Sequence, residues 1–372
     1  MAEGRAGVAD EMDAPAAKRP RTRPLLPLPV ASFSSKGRKL VLEDVVCCVP
    51  SLEGSDGLLS FYAILDGHGG SECAQWAAER LPSLICEAIS SAAASSPAIK
   101  DALRKAFSAC DEGLLAQCRA SGWDDGACVI GVLIDRRCSP PRAYVTNLGD
   151  SKAFAAVQSP AASADASATT QRIASSAGES SPAAVVASPE PAAFRAVALS
   201  KDHTPLDPKE RKRIEQAGGF VKDGRLLGLL EVSRSLGDRR LKKGGDPAVR
   251  GEPLPKSLSV PQPDVTSFDI IAGVNTFIIL GCDGLWKVFS GTQAVEWLNA
   301  RLPAMDARRT EVAILDDQTA CAGLTRDAIA ALRADRESAS EEGCLKALVH
   351  EAVHARHAKD NVTALLVRLD KM

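Results

Sequence analysis

The fold is decided by the stretch Phe61-Tyr62-Ala63-Ile64-Leu65-Asp66-Gly67-His68-Gly69-Gly70. It begins as a short apolar run with aromatic and branched residues, which is typical of a buried strand. Asp66 follows at the point where the backbone leaves the sheet, and the glycines let the backbone approach a bound group closely. The alternative interpretation is an ordinary strand-to-helix turn in which Asp66 caps the helix.

The same arrangement recurs along the chain, since four other apolar runs carry a carboxylate at one end. These are Glu43-Asp44 before Val45-Val46, Asn147-Leu148-Gly149-Asp150 after Ala143-Tyr144-Val145, Asp283-Gly284 after Phe277–Cys282, and Asp360-Asn361 before Val362–Val367. Carboxylates that converge at strand ends repel one another unless a cation lies among them. A set of oxygen ligands, with no cysteine and few histidines, favours Mg²⁺ or Mn²⁺ over Zn²⁺.

Length, composition and charge narrow the class of protein. The chain has 372 residues, 45% of them hydrophobic, and a formal net charge of −2. This balance gives no general attraction to nucleic acid or to anionic membranes, and no apolar run is long enough to span a bilayer. Eleven cysteines without C-x-x-C spacing indicate a reduced, intracellular protein. We therefore expect a cytoplasmic or nuclear protein, or one found in both compartments, that binds neither nucleic acid nor membrane.

Composition also divides the chain into a tail and one folded domain. Residues 1–35 are predicted to be a disordered tail, and the basic cluster Lys18–Arg23 within it is either a nuclear import signal or merely solvated. Residues 36–372 are predicted to form the domain, with a low-complexity insertion at 156–194 and a second insertion at 303–340. Without the first insertion, the apolar segments on either side of it would form a hairpin.

Helices are predicted from apolar spacing and from their flanking residues. They cover residues 71–88, 97–119, 207–217, 292–299 and 341–358. The first of them starts directly after the glycine-rich turn that follows Asp66.

The order of the motifs resembles that of the metal-dependent serine/threonine protein phosphatases of type 2C. The matching segments, in chain order, are Leu42-Glu43-Asp44, Asp66–Gly70, Asn147–Ser151, Asp202–Pro205, Ala217-Gly218-Gly219, Glu231–Asp238, Cys282–Trp286 and Asp360–Thr363. They span most of residues 36–370, and a set this long in the right order is highly specific, whereas one segment alone would be weak. Asp223-Gly224-Arg225 and Gly284–Phe289 look most like the integrin-linked-kinase-associated phosphatase branch.

This resemblance implies a fold and a reaction. The fold would be an α/β (α+β) four-layer αββα sandwich, in which two antiparallel sheets lie face to face and helices cover the outside. The reaction would be hydrolysis of phosphoserine and phosphothreonine in proteins by a water shared between two Mn²⁺ or Mg²⁺ ions. Phosphoproteins would be the substrates, a protein kinase would be a candidate partner, and a monomer is expected.

The resemblance also implies roles for individual side chains. Asp66 would bridge the two ions. His68 would act as the general acid that protonates the departing oxygen, and the alternative for His68 is a structural turn histidine. The other ligands would be Glu43, the carbonyl of Gly67, Asp283 and Asp360, with Asp44 ordering a metal-bound water.

The chain departs from the family pattern at two basic positions. Lys39, with Arg38 beside it, stands where the family usually has an arginine that grips the phosphate, and lysine offers a point charge instead of a bidentate fork. Lys287 stands where many members have an aspartate that helps hold a third cation. We predict that the Lys287 ammonium replaces this cation and pairs with Asp150; the alternative is a solvent-facing side chain.

Two other functions compete with an active phosphatase. The departures suggest a catalytically weak or dead scaffold that binds a kinase, but the predicted ligand carboxylates are all present. His350, Glu351 and His354 match the H-E-x-x-H pattern of zinc peptidases. In a helix these histidines would lie on the solvated face, opposite the apolar stripe formed by Leu345, Leu348, Val349 and Ala352. A third ligand is missing, so the peptidase is a remote alternative.

Overall fold

The structure is a computed structural model that describes residues 27–158, 194–245, 253–303, 305–306 and 340–372. The basic cluster Lys18–Arg23 and nearly all of the two predicted insertions lie outside the described residues. None of the described helices is both long and apolar enough to cross a membrane.

Thirteen strands and six α-helices are found in the described part of the chain. The strands are β1 Val30–Ser35, β2 Val45–Val49, β3 Leu59–His68, β4 Gly126–Asp135, β5 Arg142–Leu148, β6 Lys152–Gln158, β7 Phe194–Ala198, β8 Val221–Lys222, β9 Arg225–Leu226, β10 Leu236–Gly237, β11 Asp264–Asp269, β12 Asn275–Gly281 and β13 Val362–Arg368. The helices are α1 Glu72–Ser90, α2 Ser96–Ser121, α3 Pro208–Gln216, α4 Asp283–Trp286, α5 Gly291–Asn299 and α6 Glu341–His350. A 3₁₀ turn covers Arg239–Leu241, and a π-helical turn covers Glu351–Ala355.

Two antiparallel sheets carry the fold. Within the described residues, sheet I has the strand order β1-β13-β12-β6-β7, and sheet II has the order β11-β5-β4-β3-β2, with β10 paired to β4. β3 and β4 pair along their whole length, from Leu59 opposite Asp135 to His68 opposite Gly126. The short pair β8–β9 stands apart from both sheets.

The sheets and helices form four layers, which confirms the predicted sandwich. Side chains from both sheets fill the space between them, among them Ile64 and Val132 of sheet II and Leu280 and Leu365 of sheet I. Helices α1 and α2 cover the outer face of sheet II, while α5 and α6 cover the outer face of sheet I. Since β3 is covered on both faces, its segment 61–65 is continuously apolar instead of alternating.

Helix α1 begins just after the glycine turn that ends β3. Cys73, Ala77, Leu81 and Ile85 recur at four-residue spacing, and all are buried against sheet II. The helix predicted over 71–88 is confirmed, as is the one predicted over 97–119, which forms α2. Packing of these two helices fixes the edge of sheet II at which β3 ends.

The predicted tail is too long by at least its last six residues. Val30–Ser35 forms β1, which pairs antiparallel with β13 in the register Val30 to Val367. All six residues are half-buried, so the strand lacks the strong apolar alternation that would mark it in the sequence. Its partner lies near the other end of the chain, and only folding brings the two together.

The hairpin predicted around the low-complexity insertion is confirmed. β6 ends at Gln158, β7 begins at Phe194, and these two residues face each other in an antiparallel pair. The predicted insertion 156–194 therefore overlaps the ends of both strands. Residues 159–193 lie outside the described residues.

Candidate metal centre

Carboxylates from four strand ends line one cavity of about 410 Å³. Asp66 lies two residues before the end of β3 and Asp150 follows β5 in sheet II, whereas Asp283 follows β12 and Asp360 precedes β13 in sheet I. The cavity therefore lies at the edge where the two sheets meet. The recurrence of carboxylates at strand ends predicted this convergence.

Asp66 is the most central of these carboxylates. Its Oδ2 accepts hydrogen bonds from the Ser151 hydroxyl at 3.3 Å and from the Asp283 backbone N–H at 3.4 Å. Burial, followed by the charges of Asp44, Asp283 and Asp150, raises the pKa of Asp66 well above its ordinary value. A bound cation would relieve this repulsion.

Asp44 points most directly to a cation. The residue is only 6% exposed, and in the described part of the chain neither of its carboxylate oxygens has a hydrogen-bond partner. A buried carboxylate without partners is costly. One Asp44 oxygen, one Asp66 oxygen and the Cys282 sulfur lie within 4.8 Å of one another.

The donor atoms in this group suit Mg²⁺ or Mn²⁺. Burial, and then the charges of Asp44 and Asp66, raises the pKa of the Cys282 thiol well above its usual range. The sulfur donates to the Asn361 carbonyl at 3.3 Å and accepts from the Thr363 N–H at 3.1 Å, so it is engaged as a neutral thiol. Oxygen atoms are then the available ligands, which favours hard cations over Zn²⁺.

Lys39 covers one side of the acidic cluster. Its Nζ lies 2.9 Å from Asp360 and 3.7 Å from Glu43. The hydrogen bond to Asp360 raises the pKa of Lys39, and despite burial the same contact lowers the pKa of Asp360. Arg38, which was predicted to bind phosphate with Lys39, is exposed and is not among the residues that line the cavity.

Lys287 lies on the other side of this group of carboxylates. It contacts Asp283 directly, and its Nζ lies 3.5 Å from Asp360. No ion pair between Lys287 and Asp150 is found among the described residues, because Lys287 follows Asp283 by four residues and the short helix α4 places both on one face. Burial and neighbouring carboxylates raise the pKa of Asp150 to about 6, and the Lys287 charge only partly counters this. Since Lys287 lines the cavity, it does not simply face solvent.

Asn361 ties the loop that carries Glu43 to the residues beside Asp360. Its Oδ1 accepts from the Glu43 N–H at 2.9 Å, and its Nδ2 donates to the carbonyls of Lys36 and Val41 at 3.1 and 3.0 Å. One side chain therefore satisfies three backbone groups of this loop. Sequence reasoning saw Asn361 only as part of a motif and assigned it no role.

Gly67 is required by a close approach of the Glu43 backbone, whereas the sequence predicted a close approach to a bound group. A Cβ at this position would lie 2.5 Å from the Glu43 carbonyl oxygen and 2.9 Å from that of Gly70. Any larger residue would therefore push the Glu43 loop away from Asp66.

His68 is paired with a residue that sequence reasoning did not single out. Its Nε2 lies 2.9 and 3.1 Å from the two carboxylate oxygens of Asp238. Burial would lower the pKa of His68, but the charge of Asp238 and its hydrogen bond outweigh burial and raise it. Asp238 also accepts a hydrogen bond from the Ser235 hydroxyl. The imidazolium form, which a general acid needs, is therefore favoured.

A second wall of the cavity comes from the segment around β8 and β9. Arg225, Leu229 and Val232 line it, and the Arg225 guanidinium pairs with Glu231 while donating to the Leu229 carbonyl at 3.0 Å. This wall lines the same cavity as the carboxylates and was not predicted from the sequence.

Comparison with known proteins gives the family. The model of the family described as Protein phosphatase 2C matches residues 30–336. Probable protein phosphatase 2C 67 of Oryza sativa subsp. japonica is 31% identical over 89% of this chain and 72% of its own length. Human integrin-linked kinase-associated serine/threonine phosphatase 2C is 30% identical over 84% of this chain and 63% of its own length. The chain belongs to the protein phosphatase 2C family and is a serine/threonine protein phosphatase.

A solved structure supports the fold independently. The crystal structure of serine-threonine phosphatase 2C from Toxoplasma gondii superposes with a TM-score of 0.59 at 18% identity. The match covers 92% of this chain and 98% of that chain. The four-layer arrangement is therefore shared over nearly the whole length.

Neither alternative function is favoured. His350 and His354 are exposed, their ring centroids lie 4.2 Å apart, and Leu345 and Leu348 are buried on the opposite face. This is the solvated face expected of a surface helix and not a peptidase centre. The scaffold hypothesis loses support because the chain matches a family of enzymes and keeps the acidic cluster.

Proposed function

We propose that the acidic cavity, which is the cavity lined by Asp66, Asp150, Asp283 and Asp360, holds two Mn²⁺ or Mg²⁺ ions and that the enzyme uses them to hydrolyse phosphoserine and phosphothreonine. The observation that carries this proposal is the closeness of two carboxylates, the half-buried Asp66 and the buried Asp44, the latter without a hydrogen-bond partner in the described chain. When bound, two such ions lower the pKa of a water and neutralise phosphate charge. The residues that would hold them are Asp66, Glu43, the carbonyl of Gly67, Asp283 and Asp360, with Asp44 beside them to order a bound water.

His68 is placed to protonate the departing serine or threonine oxygen. It lines the cavity, and Asp238 fixes the orientation of its ring through Nε2. The raised pKa of His68, which burial opposes but the charge of Asp238 enforces, keeps a proton available near neutral pH. Loss of that proton would leave Asp238 as the remaining charge of the pair.

Lys39 and Lys287 would each place a positive charge at the acidic cavity. Lys39 lines the cavity and would offer a point charge to a phosphate oxygen, whereas Arg38 is exposed and is not among the lining residues. Lys287 would stand in for a third cation by holding Asp283 and Asp360, instead of Asp150 as the sequence suggested.

The proposal extends to partners and to a compartment. Phosphoproteins are the substrates of a protein phosphatase. One relative is described as integrin-linked kinase-associated, which supports a protein kinase as a partner of this chain. We further propose a monomer in the cytoplasm, in the nucleus or in both, with Lys18–Arg23 as the import signal.

The test is hydrolysis of a phosphothreonine peptide with and without Mn²⁺ or Mg²⁺, in the presence of okadaic acid, to which this family is typically insensitive. Asp66→Asn should reduce turnover by orders of magnitude and weaken Mn²⁺ binding in calorimetry, while the circular dichroism spectrum stays unchanged. Asp101→Asn, on the exposed surface of α2, is the matched control. Near-wild-type turnover or metal binding in Asp66→Asn would refute the assignment of two ions to this cavity.

A further inference from the structure

A second cavity, of about 570 Å³, lies beside the C-terminal end of α2. Five of the side chains that line it are basic: Arg119 of α2, Arg239 and Arg240 of the 3₁₀ turn, and Lys242 and Lys243 just after that turn. Among the described residues it shares no lining residue with the acidic cavity. We call it the basic cavity.

Only part of this positive charge is neutralised. Arg239 and Arg240 share one carboxylate, that of Asp124, at 2.6 and 2.8 Å. Arg119 and Lys243 are exposed, and in the described part of the chain they form no ion pair. Among the described residues, five cationic side chains against the carboxylates of Asp124 and Asp111 leave an excess of three positive charges.

The basic cavity is built on a fixed base. Lys242 is a buried part of its lining, and its Nζ donates to the Asp111 carboxylate at 3.0 Å and to the Ser235 carbonyl at 2.9 Å. The loop is also closely packed at Gly245, where a Cβ would lie 2.3 Å from the Arg239 carbonyl oxygen. Because the backbone is fixed before binding, a ligand would lose less free energy in ordering it.

The basic cavity begins one residue away from the His68–Asp238 pair. Arg239 follows Asp238 directly, and Asp124 lies two residues before Gly126, which faces His68 across β3 and β4. Consecutive Cα atoms are about 3.8 Å apart, so the backbone of Arg239, a lining residue, lies on the order of 10 Å from the His68 ring. An extended peptide spans that distance with about three residues.

We propose that the basic cavity binds acidic side chains of the phosphoprotein substrate, about three to five residues from the phosphorylated serine or threonine. The proposal rests on the proposed function, since the phosphorylated residue must lie at the acidic cavity. Carboxylates on the extended segment would reach Arg119 and Lys243, the two lining cations that form no ion pair with another described residue. A polypeptide is favoured over nucleic acid because the cations surround a pocket and do not follow a stripe along the surface.

The test compares KM values of the full chain with Mn²⁺ on three substrates. These are a phosphothreonine peptide with aspartates three to five residues away on either side, the same peptide with asparagines, and 4-nitrophenyl phosphate. KM for the aspartate peptide should be roughly ten-fold lower than for the asparagine peptide. The difference should shrink as NaCl is raised, since salt screens exposed charges.

A variant with reversed charges tests whether the basic cavity causes this difference in KM. Arg119→Glu combined with Lys243→Glu should raise KM for the aspartate peptide roughly ten-fold and leave hydrolysis of 4-nitrophenyl phosphate unchanged. This variant should also prefer a peptide with lysines at the same positions, which shows that it is folded. The matched control, Lys105→Glu with Lys346→Glu, makes the same change in net charge at exposed positions outside the basic cavity.

The outcomes separate this proposal from the proposed function. Equal KM values for the aspartate and asparagine peptides, or an equal effect of the control variant, would overturn the proposal while the phosphatase assignment stands. Failure of the wild type to hydrolyse any of the substrates would refute both. Tighter binding of a single-stranded DNA 20-mer than of the aspartate peptide, measured by fluorescence anisotropy, would assign the basic cavity to nucleic acid and overturn the proposal.

Discussion

Glu210 of α3 holds the segment that leads into the catalytic turn, and Glu210→Gln is expected to destabilise the enzyme. Its side chain is 6% exposed and lies 2.6 Å from the Arg234 guanidinium and 3.0 Å from that of Arg213. Arg213 in turn donates to the carbonyls of Ser233 and Leu258 at 2.7 and 2.8 Å. Neutralising Glu210 leaves two guanidinium groups without their shared carboxylate, which is costly in a buried place.

The pKa of Glu210 gives the size of the expected loss in the free energy of unfolding. Burial opposes ionisation, but the two arginines outweigh it and lower the pKa from 4.5 to about 2. That difference corresponds to about 3 kcal/mol. Because the pKa is lower in the folded state, this stability is fully present above pH 4.5 and is lost as the pH falls towards 2. The difference between wild type and Glu210→Gln should therefore be about 3 kcal/mol at pH 7 and about 1 kcal/mol at pH 3.

Urea unfolding followed by tryptophan fluorescence at pH 7 and pH 3 measures this difference. Glu215→Gln is the control on the same helix, because Glu215 pairs with Arg211 at an exposed site and should contribute less than about 1 kcal/mol. A loss below about 1 kcal/mol for Glu210→Gln at pH 7, or a loss that does not change with pH, would refute the reasoning.

Three further predictions concern the insertion and the acidic cavity. Replacing residues 159–193 with a two-residue turn should leave the melting temperature and peptide hydrolysis nearly unchanged, since β6 and β7 already pair; a lower melting temperature would show that the segment packs on the domain. In a chelator, Asp150→Asn should stabilise the protein by up to about 3 kcal/mol at pH 7.5, because the raised pKa of Asp150, about 6, makes its ionised form unfavourable when folded. This gain should vanish below about pH 4, and Glu87→Gln on exposed α1 should show none of it. Lys287→Asp should add a weaker second phase to the calorimetric Mn²⁺ titration, and a wild type that already shows two phases would contradict the role given to Lys287.

The acidic cavity could be predicted because its residues sit at the ends of apolar runs. Asp66, Asp283 and Asp360 each adjoin a buried strand, and strand ends of a two-sheet sandwich meet at an edge. The close approach at Gly67 was likewise visible in the sequence, although the neighbour proved to be the backbone of Glu43. Local patterns were sufficient for these residues, because each depends on where one strand stops.

The partners of these residues could not be predicted, because they depend on contacts between distant segments. His68 and Asp238 are 170 residues apart, and no local pattern links them. Strand β1 was assigned to the tail because its pairing with β13 exists only in the folded chain. The contact of Lys287 with Asp283 could have been predicted, because residues four apart in a helix lie on the same face. It was missed because the short helix α4 was not recognised in the sequence.

Asp238 joins the chemistry of the acidic cavity to the proposed recognition of substrate. Its backbone is left-handed, with φ of 48°, a conformation that costs on the order of 1 kcal/mol in a residue other than glycine. This geometry directs the carboxylate to His68 and starts the 3₁₀ turn that carries Arg239 to the basic cavity. Gly237, also left-handed, lies against Asp125 and is held by Asp111 through its N–H at 2.9 Å. Asp238 therefore lies between the general acid and the turn that carries the basic cavity. Because these contacts are already formed in the free protein, a peptide bound at the basic cavity leaves the orientation of His68 unchanged, and acidic peptides should be distinguished in KM without loss of turnover.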